Sequence, residues 1–151
     1  MTHGVVVRTG EGRSFPYAGQ PMHVLAELPG FAAVEMTVPP GFAGPVPHVH
    51  HGFDEGIYVL SGRLLLAYGD GEPVEATTGT FGLAPRGVQH TFRNPSGVPA
   101  RVLGLWSPGP AGLAFMADIG AVIPPGGAPD PAAVAEVYRR HASELFAPPS
   151  A

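Results

Sequence analysis

The sequence predicts an all-β chain, closed into an antiparallel barrel and finished by short helices. Three observations carry this. Between residues 22 and 107, short apolar runs recur in which alternate positions share a face. The runs stop at turns rich in glycine and proline, and the chain has 22 Gly and 19 Pro in 151 residues. After Pro108-Gly109-Pro110 the apolar spacing lengthens to the three and four of a helix. At this length residues 1–151 make one domain with a single core. The barrel occupies about 22–107 and a helical extension about 111–147.

Taken in order, Val5–Arg8 reads as a first strand, followed by a polar bend over Thr9–Ser14. Met22–Leu28 reads as a strand stopped by Pro29-Gly30. Ala33–Val38 alternates Val34, Met36 and Val38 with Glu35 and Thr37, as a half-buried strand does. Prolines 39, 40, 45 and 47 make the loop into a His-rich stretch. Gly56–Leu60 and Arg63–Tyr68 form a hairpin about Ser61-Gly62. Gly69-Asp70-Gly71 turns into a short edge strand, Pro73–Ala76. Thr80–Leu83 and Val88–Phe92 flank the turn Pro85-Arg86-Gly87, and Ala100–Trp106 returns with Val102, Gly104 and Trp106 on one face. A closed barrel of such strands leaves no exposed edge. Leu113–Ile119 is expected to be a short helix. Asp130 as N-cap and Pro131 as first residue open a second helix, expected over Ala132–Phe146. Its stripe is Val134, Val137, Tyr138, His141 and Leu145.

Composition excludes several chemistries. The net charge is −4 and no lysine is present, so no Schiff base forms on a side-chain amine. The eight arginines are scattered, which argues against nucleic acid as a partner. The absence of cysteine rules out a thiol nucleophile, a thiolate zinc site and an iron–sulfur cluster. Met1–Arg13 has no apolar stretch of signal-peptide length, and no run reaches membrane-spanning length. A cytoplasmic protein without a membrane partner is the expectation.

The chemistry-bearing stretch is Pro47-His48-Val49-His50-His51-Gly52-Phe53-Asp54-Glu55. On a strand, His48 and His50 share a face. Gly52 permits a bend that brings the Glu55 carboxylate back beside them. A second stretch, from Gly79 to Asn94, places His90 just after the Pro85-Arg86-Gly87 turn. His48, His50, Glu55 and His90 together form a four-ligand set for a first-row divalent metal. On an octahedral ion two positions then stay open. His51 falls on the opposite face, Asp54 points away from Glu55, and Arg86 is either an exposed turn residue or a substrate anchor. His3, His23 and His141 have no partners in the sequence.

These two stretches resemble the cupin motifs. The first motif, G-x5-H-x-H-x(3,4)-E-x6-G, is matched by His48, His50, Glu55 and Gly62. The second, G-x5-P-x-G-x2-H-x3-N, is matched by Gly79, Pro85, Gly87, His90 and Asn94. One departure is that Phe42 stands where the first motif has its leading glycine, with Gly41 and Gly44 nearby. The resemblance implies a jelly-roll barrel, a homodimer and one divalent transition metal: iron, manganese, nickel, cobalt or zinc.

Three functions follow as expectations. The chain is similar to small bacterial quercetin-dioxygenase-like cupins, which implies oxygen-dependent cleavage of an enolisable aromatic, with Glu55 as base. A non-redox isomerase, decarboxylase or polyketide cyclase uses the same centre as a Lewis acid. A non-catalytic barrel that binds a small molecule is the third, because this fold hosts all of them. Phe53, Tyr58, Phe81, Phe92 and Trp106, with Phe115, are each either barrel core or the lining of an apolar pocket.

Overall fold

In the computed structural model, which describes residues 3–146, the strands are β1 (Ser14–Tyr17), β2 (Gln20–Glu27), β3 (Ala32–Val38), β4 (His48–His50), β5 (Asp54–Ser61), β6 (Arg63–Tyr68), β7 (Val74–Thr77), β8 (Phe81–Ala84), β9 (His90–Arg93), β10 (Ala100–Ser107) and β11 (Ser143–Leu145). Helices α1 (Gly109–Val122) and α2 (Pro131–Arg140) lie between β10 and β11. One sheet has the order β1-β2-β3-β10-β5-β8, the other β11-β4-β9-β6-β7. Every strand pairing is antiparallel. The architecture is the expected all-β jelly roll.

Alternation explains what each sheet buries. Val34, Met36 and Val38 of β3 face inward, as do Val102 and Trp106 of β10 and Ile57 and Val59 of β5. Leu64 and Leu66 of β6 meet them from the opposite sheet, and one apolar cluster joins the two. Helix α1 extends this core with Leu113, Phe115, Met116 and Ile119. Its close seat on β10 depends on Gly112, where a Cβ would lie 2.2 Å from the Cβ of Trp106.

Two motif residues turn out to hold loops. Asn94 is fully buried and donates to the carbonyls of Val38 (3.2 Å) and Val98 (2.8 Å) while accepting from the Ser96 amide at 3.0 Å. It thereby satisfies backbone groups of a turn that has no ladder partner. The displaced glycine of the first motif is also accounted for. Gly44 has φ +82°, and a Cβ there would sit 1.8 Å from the Phe92 carbonyl oxygen. The close approach of this loop to β9 therefore falls two positions after Phe42.

The structure corrects three expectations. Val5–Arg8 is not a strand; Val5 and Val6 are exposed and find no partner strand. Helix α1 is longer than Leu113–Ile119, because the chain turns helical directly after Pro108. The second helix does open at Asp130, whose carboxylate accepts from the Ala132 amide, but it ends at Arg140. Ala142 takes φ 49° and redirects the chain, and Ser143–Leu145 becomes β11. That strand pairs with the free edge of β4 and satisfies backbone groups that would otherwise stay open.

Candidate metal centre

The five-stranded sheet brings the histidines together by register. His48 on β4 lies directly across from His90 on β9, and His50 lies across from Ser143 on β11. All three rings point inward and are buried. Their ligand atoms lie within 4.8 Å of one another. Ring centroids are separated by 4.3 Å for His48–His90, 4.8 Å for His48–His50 and 5.2 Å for His50–His90.

Hydrogen bonds assign each tautomer. His48 Nδ1 is 2.8 Å from the Val46 carbonyl and His90 Nδ1 is 2.9 Å from the Val88 carbonyl. A carbonyl only accepts, so both Nδ1 atoms carry the hydrogen. His50 Nδ1 is 2.7 Å from Ser143 Oγ, whose own hydrogen goes to the His141 carbonyl at 3.1 Å. His50 therefore also donates through Nδ1. Each ring is left with a bare lone pair on Nε2, the arrangement a histidine-ligated metal requires. Nε2 of His50 and of His90 are buried without a partner. Such atoms destabilise the fold by about 1–3 kcal/mol each unless something occupies the space they face. The three histidines thus fit a metal ion.

Glu55 arrives from the other sheet. Its Oε2 lies 3.6 Å from His50 Nε2 and its Oε1 3.8 Å from His90 Nε2. Both separations are too long for hydrogen bonds. Both are shorter than two metal–ligand bonds of about 2.1 Å end to end. Glu55 is paired in register with Trp106, whose indole N–H donates to Oε2 at 3.1 Å. Burial pushes the Glu55 carboxyl up, but His90 and the other two imidazoles outweigh it and hold it down at about 2. Burial lowers His48 to about 4 and His50 to about 3, with Glu55 opposing in both. His90 is also pushed down by burial, but the Glu55 carboxylate facing it leaves it raised.

These shifts predict how the metal-free protein responds to acid. His48 and His50 have folded values below the ordinary 6.5. Their neutral forms therefore stabilise the fold fully above pH 6.5, and that contribution is lost as pH falls towards 4 and 3. Each is worth about 1.4 kcal/mol per pH unit within its window. His90 runs the other way: its contribution is complete below 6.5 and fades as pH rises. Glu55 loses its contribution only below 4.5. Between pH 6.5 and 4.5 the two depressed histidines dominate, and stability should fall by on the order of 4 kcal/mol. Thermal unfolding in chelator across that range checks this; a flat profile would contradict buried neutral rings.

Above the histidines lies a small cavity, about 30 Å³ when measured to the centres of water-sized spheres. Its apolar wall includes Met36, Ile57, Phe92, Phe115, Met116 and Ile119. Its polar groups are His48, Glu55, the Trp106 indole and two tyrosines, Tyr17 and Tyr138. No arginine lines it.

Of the expected pocket residues, Phe92 and Trp106 line this cavity, as does Phe115. Phe53 is buried behind His50, with ring centroids 4.3 Å apart, and supports that ring from below. Tyr58 and Phe81 do not belong to the pocket. They are 37% and 51% exposed and lie across from each other on the outer face of the six-stranded sheet. Strand parity is the cause: Glu55, Ile57 and Val59 point inward, so Tyr58 points out. Arg86 faces Asp54 at the surface, 3.1 Å away. His51 is exposed and lies 3.3 Å from Glu144. Ser143, Tyr17 and Tyr138 are the site residues that sequence reasoning did not find. Only the helical stripe through Tyr138 gave any signal, because the other two act through pairings distant in sequence.

Residues 34–106 match the family model described as Cupin domain. No curated protein matches the sequence. Among solved structures, KdgF from Halomonas sp. is similar with a TM-score of 0.62 and 24% identity, over 70% of this chain and 94% of that one. A sugar phosphate isomerase of the cupin superfamily from Silicibacter pomeroyi gives 0.60 and 21%, over 68% and 75%. A predicted oxalate decarboxylase from Thermotoga maritima gives 0.57 and 22%, over 68% and 98%. At these identities the likeness concerns the fold. No described helix is long and apolar enough to cross a membrane. With the motifs, the double sheet and the buried histidines in agreement, residues 34–106 are a cupin domain.

Proposed function

We propose that this cupin is a metal-dependent enzyme acting on a small enolisable molecule, with His48, His50, His90 and Glu55 as the metal-binding set. The observation that carries this reading is the pair of buried, partnerless Nε2 atoms that lie 3.6 and 3.8 Å from the Glu55 carboxylate. A bound divalent ion would supply positive charge that stabilises an enolate oxygen and acidifies the adjacent C–H. Glu55 is ionised at neutral pH and faces the cavity, so it is placed to take that proton. The Trp106 N–H fixes the carboxylate's orientation.

The apolar wall and the missing arginine favour an uncharged or singly charged, apolar-bodied substrate over a phosphorylated sugar or a dicarboxylate. Oxygen-dependent cleavage of the enolate, in the manner of a quercetinase, is our first reading. Non-redox isomerisation, decarboxylation or cyclisation begins with the same proton abstraction and is the second reading. Elemental analysis of anaerobically purified protein, with oxygen uptake on a panel of small 1,3-dicarbonyl compounds, separates them. One equivalent of iron, manganese, nickel or cobalt with uptake is expected. One equivalent of zinc without uptake would move the assignment to the non-redox class, and no metal would overturn both.

A further inference from the structure

Tyr17 and Tyr138 reach the cavity from opposite ends of the chain, one on β1 and the other on α2. They are 4% and 3% exposed. Tyr138 packs edge-on against the His48 ring, at a centroid distance of 5.2 Å. Both line the same cavity as His48 and Glu55. Neither hydroxyl forms a hydrogen bond among the described residues, and burial and neighbouring charge are the only influences on their acidity. Neither oxygen is sealed in apolar surroundings either. The fully enclosed side-chain atoms without partners are Nδ1 of His23 and Nε2 of His50 and His90. Both phenol oxygens therefore keep some accessible surface, on residues that line the cavity.

A wall built only to fill space has no use for them. Phe42, Phe92 and Phe115 occupy neighbouring positions in the same aromatic assembly without any hydroxyl. Two phenols without a protein hydrogen-bond partner, both lining one cavity beside a metal set, indicate donors held ready for an acceptor. Glu55 is committed to the Trp106 N–H on one oxygen and faces the histidines. Burial and the Glu55 charge keep both phenols protonated, hence as donors.

We infer that Tyr17 and Tyr138 form a two-donor clamp for the oxygen atoms of a conjugated two-oxygen monoanion, an enolate of a dicarbonyl compound or a carboxylate, held at the histidine centre. This rests on the metal-centre reading and adds the groups that select and position the ligand. With no arginine in the cavity, the ion and these two hydroxyls make up the recognition of the anion. Both residues are positioning and specificity residues, and neither is a base.

The test uses the full chain loaded with cobalt(II), whose visible spectrum reports on ligands at the ion. Acetylacetone is titrated as the two-oxygen probe. Imidazole is the control, because its free ring nitrogen donates and asks nothing of a phenol donor. Tyr17→Phe and Tyr138→Phe should each weaken acetylacetone about 10-fold, as the loss of one hydrogen bond to a charged group implies. The double variant should lose more, with cobalt stoichiometry and imidazole affinity within twofold of the parent. Unchanged acetylacetone affinity on an intact cobalt site would overturn the clamp while leaving the metal centre standing. Parallel losses for both probes would assign the tyrosines a structural part and also overturn it. Failure of the parent protein to take up cobalt would overturn the metal reading and the clamp with it.

Discussion

Replacing His48 or His90 by alanine is expected to reduce metal content from one equivalent to below about a tenth after dialysis. Each replacement removes one of three converging Nε2 lone pairs. Loss of a partner that merely orients a ligand already lowers metal affinity by about 10–100-fold. Removing the ligand itself should exceed that. The site has little means of compensation, since His51 sits on the outer face beside Glu144 and the His141 ring is bonded to Asp118. His51→Ala is accordingly the control and should retain full metal. Elemental analysis of the three variants decides the matter. Full stoichiometry in both His48→Ala and His90→Ala would reject the centre.

Glu55→Gln should lower turnover by about 10²–10⁴-fold, the range attributable to one acid–base group. The change is isosteric and leaves an oxygen to accept the Trp106 N–H, so the packing about β5 and β10 is preserved. What disappears is the negative charge and the ability to take a proton. The pairing with metal content gives the experiment its meaning. Turnover lost with metal retained identifies Glu55 as the base. Turnover and metal lost together identify it as an indispensable ligand. Unchanged turnover would remove it from the chemistry. The same substitution removes the charge that raises His90, whose titration should shift down in the metal-free variant.

What was legible in the sequence follows from how far apart the interacting residues lie. The histidines and Glu55 could be placed because strand parity is local: His48 and His50 differ by two, and Glu55 shares its face with Ile57 and Val59. The same rule, applied to Tyr58, would have put it outside, opposite Phe81, where it is found. Weighing residue type ahead of parity puts that aromatic pair in the barrel core or the pocket, and parity excludes both. Phe92 and Trp106 share the faces of His90 and Glu55's partner position, and both line the cavity. The end of α2 was not legible. The apolar spacing continues through Leu145, and only the pairing of β11 with the edge of β4 overrides it. Tyr17 and Ser143 were unreadable for the same reason, since their relation to the histidines exists only after the sheets close.

The bond between His50 and Ser143 joins residues 93 positions apart. A chain emerging from the ribosome exposes all three histidines well before the serine that orients one of them. Until β11 docks, β4 lacks one neighbour and the His50 ring lacks its acceptor. The candidate metal centre is thus completed by a late-made segment. The finished set forms only when β4 and β11, far apart in sequence, have paired.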